Sequence, residues 1–197
     1  MSCATPLDLQ TLADYWAGEL DAGAEERVEE HLLGCSDCSE QLEWLSSSVD
    51  GVKQLVRGGV PRQVLSPGFL EQLKASGLRA REYAPPPGGE VQCTIAPDDD
   101  LLIAHLRADL EEAKQLDVVL CAEDGTEFLR MPDVPFAPSS GEVIFNEPAP
   151  SAKQMPNNIL RVKLVEPGDQ GDRLVAEYTF DHSRWEDSPA NPNRASH

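Results

Sequence analysis

The chain has 197 residues, and its 35 acidic side chains outnumber its 16 basic ones to give a formal net charge of −19. This charge disfavours binding to nucleic acid or anionic membrane, which clusters of Lys and Arg recognise, and it suits a basic protein partner. No apolar run approaches the roughly 18–20 residues that span a bilayer, and no signal peptide is recognisable, so we predict a cytoplasmic protein that binds neither nucleic acid nor membrane.

Apolar residues that recur three or four positions apart predict three helices in the first part of the chain. Their predicted ranges are 6–20, 24–33 and about 36–57. The second helix is acidic and ends at Gly34, a residue type that commonly terminates helices. The third begins at Ser36 or Asp37, either of which is a suitable N-cap. Trp16 and Trp44 are interpreted as core residues of this bundle.

A histidine and two cysteines lie where the second helix meets the third. His31, Cys35 and Cys38 are spaced i, i+4 and i+7, which places them on one face of a helix or helix end. One imidazole nitrogen and two thiolates make up most of a tetrahedral Zn²⁺ site. Cys3 is the candidate for the fourth ligand, and the alternative is a water or an unrelated group. A site closed by four protein ligands would be structural and would stabilise a small helical domain.

The chain contains five cysteines, an odd number, and two of them form a Cys-x-x-Cys pair beside a histidine. In a reducing compartment this usage favours metal or redox chemistry over structural disulfides. Oxidation could pair Cys3 with Cys35 or Cys38, so redox control stays open beside a purely structural role. Cys93 and Cys121 fall in predicted strands and are interpreted as small buried apolar residues.

A fourth helix is predicted over 67–83, because Ser66-Pro67 combines an N-cap with a proline at the first helical position. The loop before it, residues 58–65, has a flexible composition, which predicts loose attachment to the first three helices. One side of this helix is apolar, and an apolar side that stays exposed is a binding surface. The predicted partner-binding residues are Phe69, Leu70, Leu73 and Leu78. The alternative is ordinary packing of this side on the third helix.

The sequence pattern changes after the Pro/Gly-rich segment 84–90, which is predicted to be a linker. Beyond it, apolar and polar residues alternate, and turn signals separate the runs. About seven short strands of this kind predict an antiparallel β-sandwich over 91–185. The last residues, 186–197, are polar and predicted to be disordered. The fold class is therefore α+β in two domains, with a small zinc-binding helical bundle over 1–83 before the sandwich.

The first 45 residues resemble the zinc-binding anti-sigma family, whose zinc-finger domain opens many bacterial anti-sigma factors. The resemblance consists of a short helix ending in Gly18-Glu19-Leu20, an acidic helix over 25–32 and the His-x3-Cys-x2-Cys motif, in the family's order and spacing. One departure concerns the first ligand, which the family usually places near the position of Thr5, whereas Cys3 lies two residues earlier. No family is recognised in the β-domain.

The resemblance implies a soluble anti-sigma factor that sequesters an extracytoplasmic-function-type sigma factor. In that family a compact three-helix bundle is followed by a loosely attached fourth helix that clamps the sigma factor. The acidic helices would steer the protein toward the basic DNA-binding surface of such a partner. The second hypothesis is a zinc-dependent interaction module for another protein. An enzyme is not expected, because the nucleophile-elbow, zinc-protease, P-loop and dinucleotide-binding motifs are absent from the sequence.

Overall fold

The computed structural model describes residues 3, 5–47, 62–168, 170–188 and 191. The chain divides into two compact units, a helical unit made of Met1–Leu55 and Pro67–Gly77, and a β unit made of Val56–Ser66 and Leu78–His197. The predicted α+β class in two parts is confirmed. The division differs from the predicted boundary at residue 83, because the segments on both sides of the fourth helix belong to the β unit.

Four helices form the described part of the helical unit. They are α1 (Leu9–Ala17), α2 (Ala22–Gly34), α3 (Ser36–Ser47) and α4 (Pro67–Ala75). Asp8 caps α1 by accepting a hydrogen bond of 2.8 Å from the backbone N–H of Thr11, and Gly18 ends the helix with a φ of +72°. These two residues make α1 shorter than predicted. Asp21 caps α2 in the same way, which starts that helix two residues earlier than predicted.

The interior of the helical unit is small. Leu12, Val28 and Cys38 are the buried residues of α1, α2 and α3. Trp44, which the helical periodicity places in the core, is instead 62% exposed, because Cys38 and not Trp44 defines the inward side of α3. The predicted continuation of α3 to about Arg57 lies outside the described residues. None of the helices in the described ranges is long and apolar enough to cross a bilayer.

The predicted fourth helix over 67–83 is wrong in its second half. Helix α4 ends at Ala75, and Gly77 adopts a φ of +90°, a conformation that favours glycine and turns the chain out of the helix. Residues Ala80–Tyr83 then form a strand. The prediction of a flexible loop over 58–65 is wrong at the end of that range, where Gln63–Leu65 also form a strand. Both short segments gain ladder hydrogen bonds from strands that are distant in sequence, and these outweigh local propensity.

Nine strands form two sheets in the described part of the β unit. In chain order they are β1 (Gln63–Leu65), β2 (Ala80–Tyr83), β3 (Glu90–Thr94), β4 (Leu101–Arg107), β5 (Asp117–Cys121), β6 (Glu127–Met131), β7 (Glu142–Pro148), β8 (Asn158–Glu166) and β9 (Arg173–Ser183). The strand orders are β1-β7-β4-β2 and β3-β9-β8-β5-β6. Most neighbours are antiparallel, as predicted, but β2 runs parallel to β4 and β3 runs parallel to β9, so both sheets are mixed.

Inward side chains of both sheets form one hydrophobic core. Its buried members include Leu106, Val118, Phe145, Val162, Leu164, Tyr178 and Phe180. Tyr178 is fully buried, and its hydroxyl donates a hydrogen bond of 2.8 Å to the carbonyl of Arg107, which satisfies its polar end. Because a single core receives side chains from both sheets, the strands form a sandwich. Cys93 and Cys121 are buried, as predicted for small apolar residues in strands.

The predicted linker and tail are partly tied to the sandwich. Gly88 donates its backbone N–H to the carbonyl of Glu177 at 2.8 Å, and Thr179 donates to the carbonyl of Gly89 at 2.9 Å. Residues Trp185–Asp187 form a short 3-10 helix, so the predicted disorder of 186–197 does not hold at its beginning. Residues 189–190 and 192–197 lie outside the described part of the chain.

Candidate metal centre

The four predicted metal ligands lie together in the helical unit. His31 is in the last turn of α2, Cys35 separates α2 from α3, and Cys38 is in the first turn of α3. Cys3 comes from the segment before α1. The sulfur atoms and one imidazole nitrogen all lie within 4.8 Å of one another. The sequence motif and the N-terminal cysteine therefore form one cluster that can hold a metal ion.

The junction between α2 and α3 directs the motif residues inward. Cys35 has an extended backbone, with φ −130° and ψ 103°, and it breaks what would otherwise be one continuous helix. Ser39 then braces the junction, because its hydroxyl donates hydrogen bonds to the carbonyls of Leu32 at 2.9 Å and Cys35 at 3.0 Å. The break brings Cys38 back toward His31, with 3.3 Å between Cys38 Sγ and His31 Nε2.

Cys3 is held in place by a contact outside the ligand set. Its backbone N–H donates a hydrogen bond of 3.1 Å to Asp37 Oδ2, and Asp37 lies in the first turn of α3. This contact places Cys3 Sγ 3.6 Å from His31 Nε2. Asp37 would thus orient Cys3 toward the other three members of the cluster without itself contacting a metal ion.

The donor set fits zinc. A tetrahedral site with Zn–S distances of about 2.3 Å and Zn–N distances of about 2.0–2.1 Å places neighbouring ligand atoms about 3.6–3.8 Å apart. The Cys3–His31 distance of 3.6 Å matches this value, and the His31–Cys38 distance of 3.3 Å is slightly shorter. Three thiols and one imidazole are ligands that zinc prefers over hard cations. Coordination by all four residues would close the site, which is the arrangement of structural zinc.

Hydrogen bonds within the cluster favour a thiolate at Cys35. The backbone N–H of Cys38 donates to the Cys35 sulfur, and together with the hydrogen bond from the Cys3 thiol it lowers the pKa of Cys35 to about 7. The pKa of Cys3 is raised, mainly because its thiol makes that hydrogen bond to Cys35 and secondarily because it is partly buried. The thiolate is the form that binds metals, so Cys35 is prepared for coordination near neutral pH.

The predicted partner-binding residues occupy two different places. Phe69, Leu70 and Leu73 are on α4, whereas Leu78 follows the helix and belongs to the β unit. Leu70 and Leu73 are buried, and Phe69 packs on Trp16 of α1 with 6.0 Å between the ring centroids. In this structure the apolar face of α4 is therefore covered. Within the helical unit, α4 contacts α1.

Two hydrogen bonds between a side chain and the backbone join α4 to the end of α1 and to the segment that follows it. The N–H of Gly68 donates to Glu19 Oε1 at 2.8 Å, and Gln72 Nε2 donates to the carbonyl of Trp16 at 3.1 Å. A Cβ atom at Gly68 would lie 1.8 Å from the carbonyl oxygen of Ala17, which no side-chain movement could relieve. Gly68 is absent from the predicted site. The signal that could have identified it is a glycine in the first turn of an otherwise well-formed helix.

Two large apolar side chains of the helical unit are exposed. Leu33, near the end of α2, is 92% exposed, and Trp44 on α3 is 62% exposed. Neither was predicted to bind a partner. Exposed large apolar residues beside an acidic surface are typical of protein-binding sites, with Trp frequent among the residues that dominate binding energy.

Comparison with known proteins assigns the N-terminal segment. Residues 9–39 match the family described as "Putative zinc-finger". This segment is the zinc-finger domain of the anti-sigma zinc-finger family, a regulatory and non-enzymatic domain, so the resemblance seen in the sequence is confirmed for this part of the chain. The match includes His31, Cys35 and Cys38, whereas Cys3 lies before it.

The other comparisons are less informative. No curated protein matches the chain significantly. One matching solved structure is that of CBM51-2 in complex with GlcNAc and INT domains from Clostridium perfringens ZmpB. It is similar over 57% of this chain, at 17% identity and with a TM-score of 0.29, and the match spans 21% of the other chain. Similarity at this level defines neither the fold nor the function of this chain.

Proposed function

We propose that this protein is a cytoplasmic anti-sigma factor whose helical unit, stabilised by zinc, binds and sequesters an extracytoplasmic-function-type sigma factor. The observation that carries the proposal is the zinc-finger match over 9–39 together with four convergent metal ligands in the same unit. Cys3, His31, Cys35 and Cys38 are the proposed zinc ligands. When bound, the ion would join the N-terminus, α2 and α3, which share only a small apolar interior.

The charge of the helical unit supports a basic partner. Residues 5–47 contain eleven acidic side chains and one basic side chain, Arg27. A DNA-binding surface on a sigma factor is basic because it contacts phosphates, so the two surfaces attract each other and associate faster than neutral ones. Covering that basic surface would also prevent the sigma factor from reaching its promoter.

Helix α4 provides the proposed clamp. It has nine residues, too few for a stable isolated helix, so it needs a surface against which to pack. In the unbound protein Leu70 and Leu73 are buried, and α1 contacts the same helix through Phe69. We propose that the sigma factor replaces this packing, and that Phe69, Leu70 and Leu73 then fill a groove on the partner. Leu78 lies beyond the helix and would move with the chain that follows it.

The metal centre also offers a route to control by oxidation. Cys3 and Cys35 are only partly buried, so a two-electron oxidant such as hydrogen peroxide can reach them. Oxidation of Cys3 with Cys35 or Cys38 would form one disulfide, reduce the peroxide to water and remove two of the four ligands. A purely structural site that never oxidises in the cell is the alternative.

A second candidate function is a zinc-dependent interaction module for a protein other than a sigma factor. The exposed side chains of Leu33 and Trp44 favour an interaction surface without specifying the partner. The two functions share the metal centre and differ in what the acidic surface binds.

The test is co-expression of the tagged full-length chain with each extracytoplasmic-function-type sigma factor of its own genome. We expect one of them to copurify in equal amount and to lose promoter-dependent transcription with core RNA polymerase. Cys38→Ser should abolish both effects, whereas Cys121→Ser, a matched change at a buried cysteine of the β unit, should not. A zinc-loaded protein that binds none of these sigma factors would refute the proposal and favour the second candidate.

A further inference from the structure

At one end of the sandwich the inward-facing side chains change from apolar to polar. Along a strand every second side chain points to the same side, so inward positions can be followed beyond the core. At this end the next inward positions after Val64, Phe145, Leu160 and Phe180 are polar. They are Arg62, Glu147, Asn158 and His182. The sheet register pairs Asn158 with His182, and all four residues line one cavity.

The cavity is small and mostly apolar. Its volume is about 120 Å³, and its walls include Leu102, Phe145, Leu160 and Phe180. An apolar protein cavity of about 150 Å³ admits benzene, so this one is the size of a small ring or a short carbon chain. Phe128 also lines it and is 52% exposed, which places an aromatic ring at its edge. Every lining residue belongs to the β unit.

Two buried polar atoms in this cavity lack a hydrogen-bond partner among the described residues. They are Glu147 Oε1 and His182 Nε2. The other carboxylate oxygen of Glu147 accepts a hydrogen bond from Arg62 Nε. The ring of His182 donates to the backbone carbonyl of Ala152, and this contact uses the nitrogen that carries the proton. Nε2 is then an unprotonated acceptor, and burial lowers the pKa of His182, which keeps the ring neutral.

Buried acceptors without donors destabilise a protein, and native structures contain few of them. A cavity that is otherwise apolar but holds two such acceptors has the composition of a ligand site, where a small number of polar groups set orientation. Both groups call for a hydrogen-bond donor on the ligand. The guanidinium of Arg62 lies beside Glu147 and disfavours a second cation, while the carboxylate of Glu147 disfavours an anion.

We propose that this cavity binds a small, mostly apolar alcohol or phenol, whose hydroxyl group donates a hydrogen bond to Glu147 or His182. The hydrocarbon part would contact Leu160 and Phe180, and Phe128 would cover it. The site is separate from the metal centre, because it needs no zinc and no residue of the helical unit.

The experiment compares phenol with toluene, which has nearly the same shape but carries a methyl group in place of the hydroxyl. Both are titrated into the full-length, zinc-loaded protein, and amide shifts are followed by ¹H–¹⁵N NMR. We expect phenol to cause saturable shifts at Cys93, Ala104 and Phe180. We expect the affinity for toluene to be at least about tenfold lower than that for phenol, since toluene leaves both acceptors without a donor.

Two variants remove one acceptor each. Glu147→Gln presents an amide N–H₂ where the free carboxylate oxygen stands, and His182→Leu removes the ring. Each should reduce the preference for phenol over toluene, and Glu147→Gln keeps the test valid if His182→Leu does not fold. Glu177→Gln, on the outer face of β9, should leave both affinities unchanged. Equal binding of phenol and toluene, shifts outside the cavity, or no saturable phenol shift would each overturn the proposal.

Discussion

Gly68→Ala is the sharpest available test of how α4 is held. The new Cβ would lie 1.8 Å from the carbonyl oxygen and 2.8 Å from the carbonyl carbon of Ala17, both backbone atoms of α1. Because neither atom can rotate away, α4 has to move off α1. The substitution also replaces glycine with the best helix former, so the helix itself is not weakened. It therefore separates docking of α4 from its folding.

The size of the effect follows from the contacts that displacement breaks. The aromatic pair between Trp16 and Phe69 contributes about 0.5–1.5 kcal/mol beyond its buried area. The two hydrogen bonds from α4, Gly68 to Glu19 just after α1 and Gln72 to Trp16, contribute about 0.5–1.5 kcal/mol each. Their combined loss shifts the balance between docked and undocked α4 by at least about tenfold, since about 1.4 kcal/mol is a factor of ten.

Hydrogen-exchange mass spectrometry of the peptide covering residues 67–77 measures this shift directly. We expect exchange in Gly68→Ala to be at least about tenfold faster than in the wild type. Gly23→Ala is the matched control, because Gly23 is also the second residue of a helix but a Cβ there meets only ordinary contacts of 3.4 Å and 3.6 Å. Unchanged exchange in Gly68→Ala would refute the reasoning about docking.

The same variant tests the clamp. If the sigma factor binds only molecules in which α4 is undocked, the apparent affinity of the wild type equals the intrinsic affinity multiplied by the undocked fraction. Gly68→Ala should then bind the sigma factor more tightly, with a faster association rate, whereas Gly23→Ala should behave like the wild type. Faster exchange without a change in affinity would show that α4 undocks but does not contact the partner.

Three further predictions concern the metal centre and the sandwich. Purified protein should contain one zinc per chain under reducing conditions, and Cys3→Ser should lose or weaken it; equal zinc in both would remove Cys3 from the ligand set. Chelation of zinc should lower the unfolding temperature of the helical unit and leave that of the sandwich unchanged, and a common shift of both transitions would contradict this. Because burial lowers the pKa of His182, this side chain binds a proton more readily in the unfolded chain than in the folded one. The wild type should thus lose stability relative to His182→Leu as the pH falls through the unfolded value near 6.5, and equal pH profiles would exclude this.

Most of the candidate metal cluster could be predicted because its geometry is local. His31, Cys35 and Cys38 lie within eight residues, so helix spacing alone brings them together. Cys3 was predicted as the candidate fourth ligand with an alternative left open, because the hydrogen bond to Asp37 that positions it follows from no spacing rule. The match to the family begins after Cys3, so the position of Cys3 in the cluster is known from the structure and not from the family match.

The strands β1 and β2 could not be predicted because their partners are distant in sequence. Val64 pairs with Phe145, and Arg81 pairs with Leu102 in a parallel ladder. Apolar residues in 67–83 satisfy a helical period, and only Gly77 signals that the helix stops before residue 80. Local pattern and distant pairing disagreed here, and the pairing decided the structure.

The cavity was invisible in the sequence for a related reason. Glu147 and His182 each stand at the end of a clear strand pattern, where a polar residue normally marks the return to solvent. The alternation nevertheless continues inward for one more step on β7 and β9, since both residues are buried. Only the packing of two sheets reveals that these polar ends meet in one place.

The route of the chain makes α4 suited to exchange between two packing partners. β1 precedes α4 by one residue and β2 follows it after four, and both strands belong to the same sheet of the sandwich. The sheet therefore holds both ends of α4 whether or not the helix contacts α1. Undocking then frees nine residues and not a whole terminus, so the conformational entropy that must be lost again on binding is small. Release from α1 needs no unfolding of the sandwich, which makes displacement by a partner feasible.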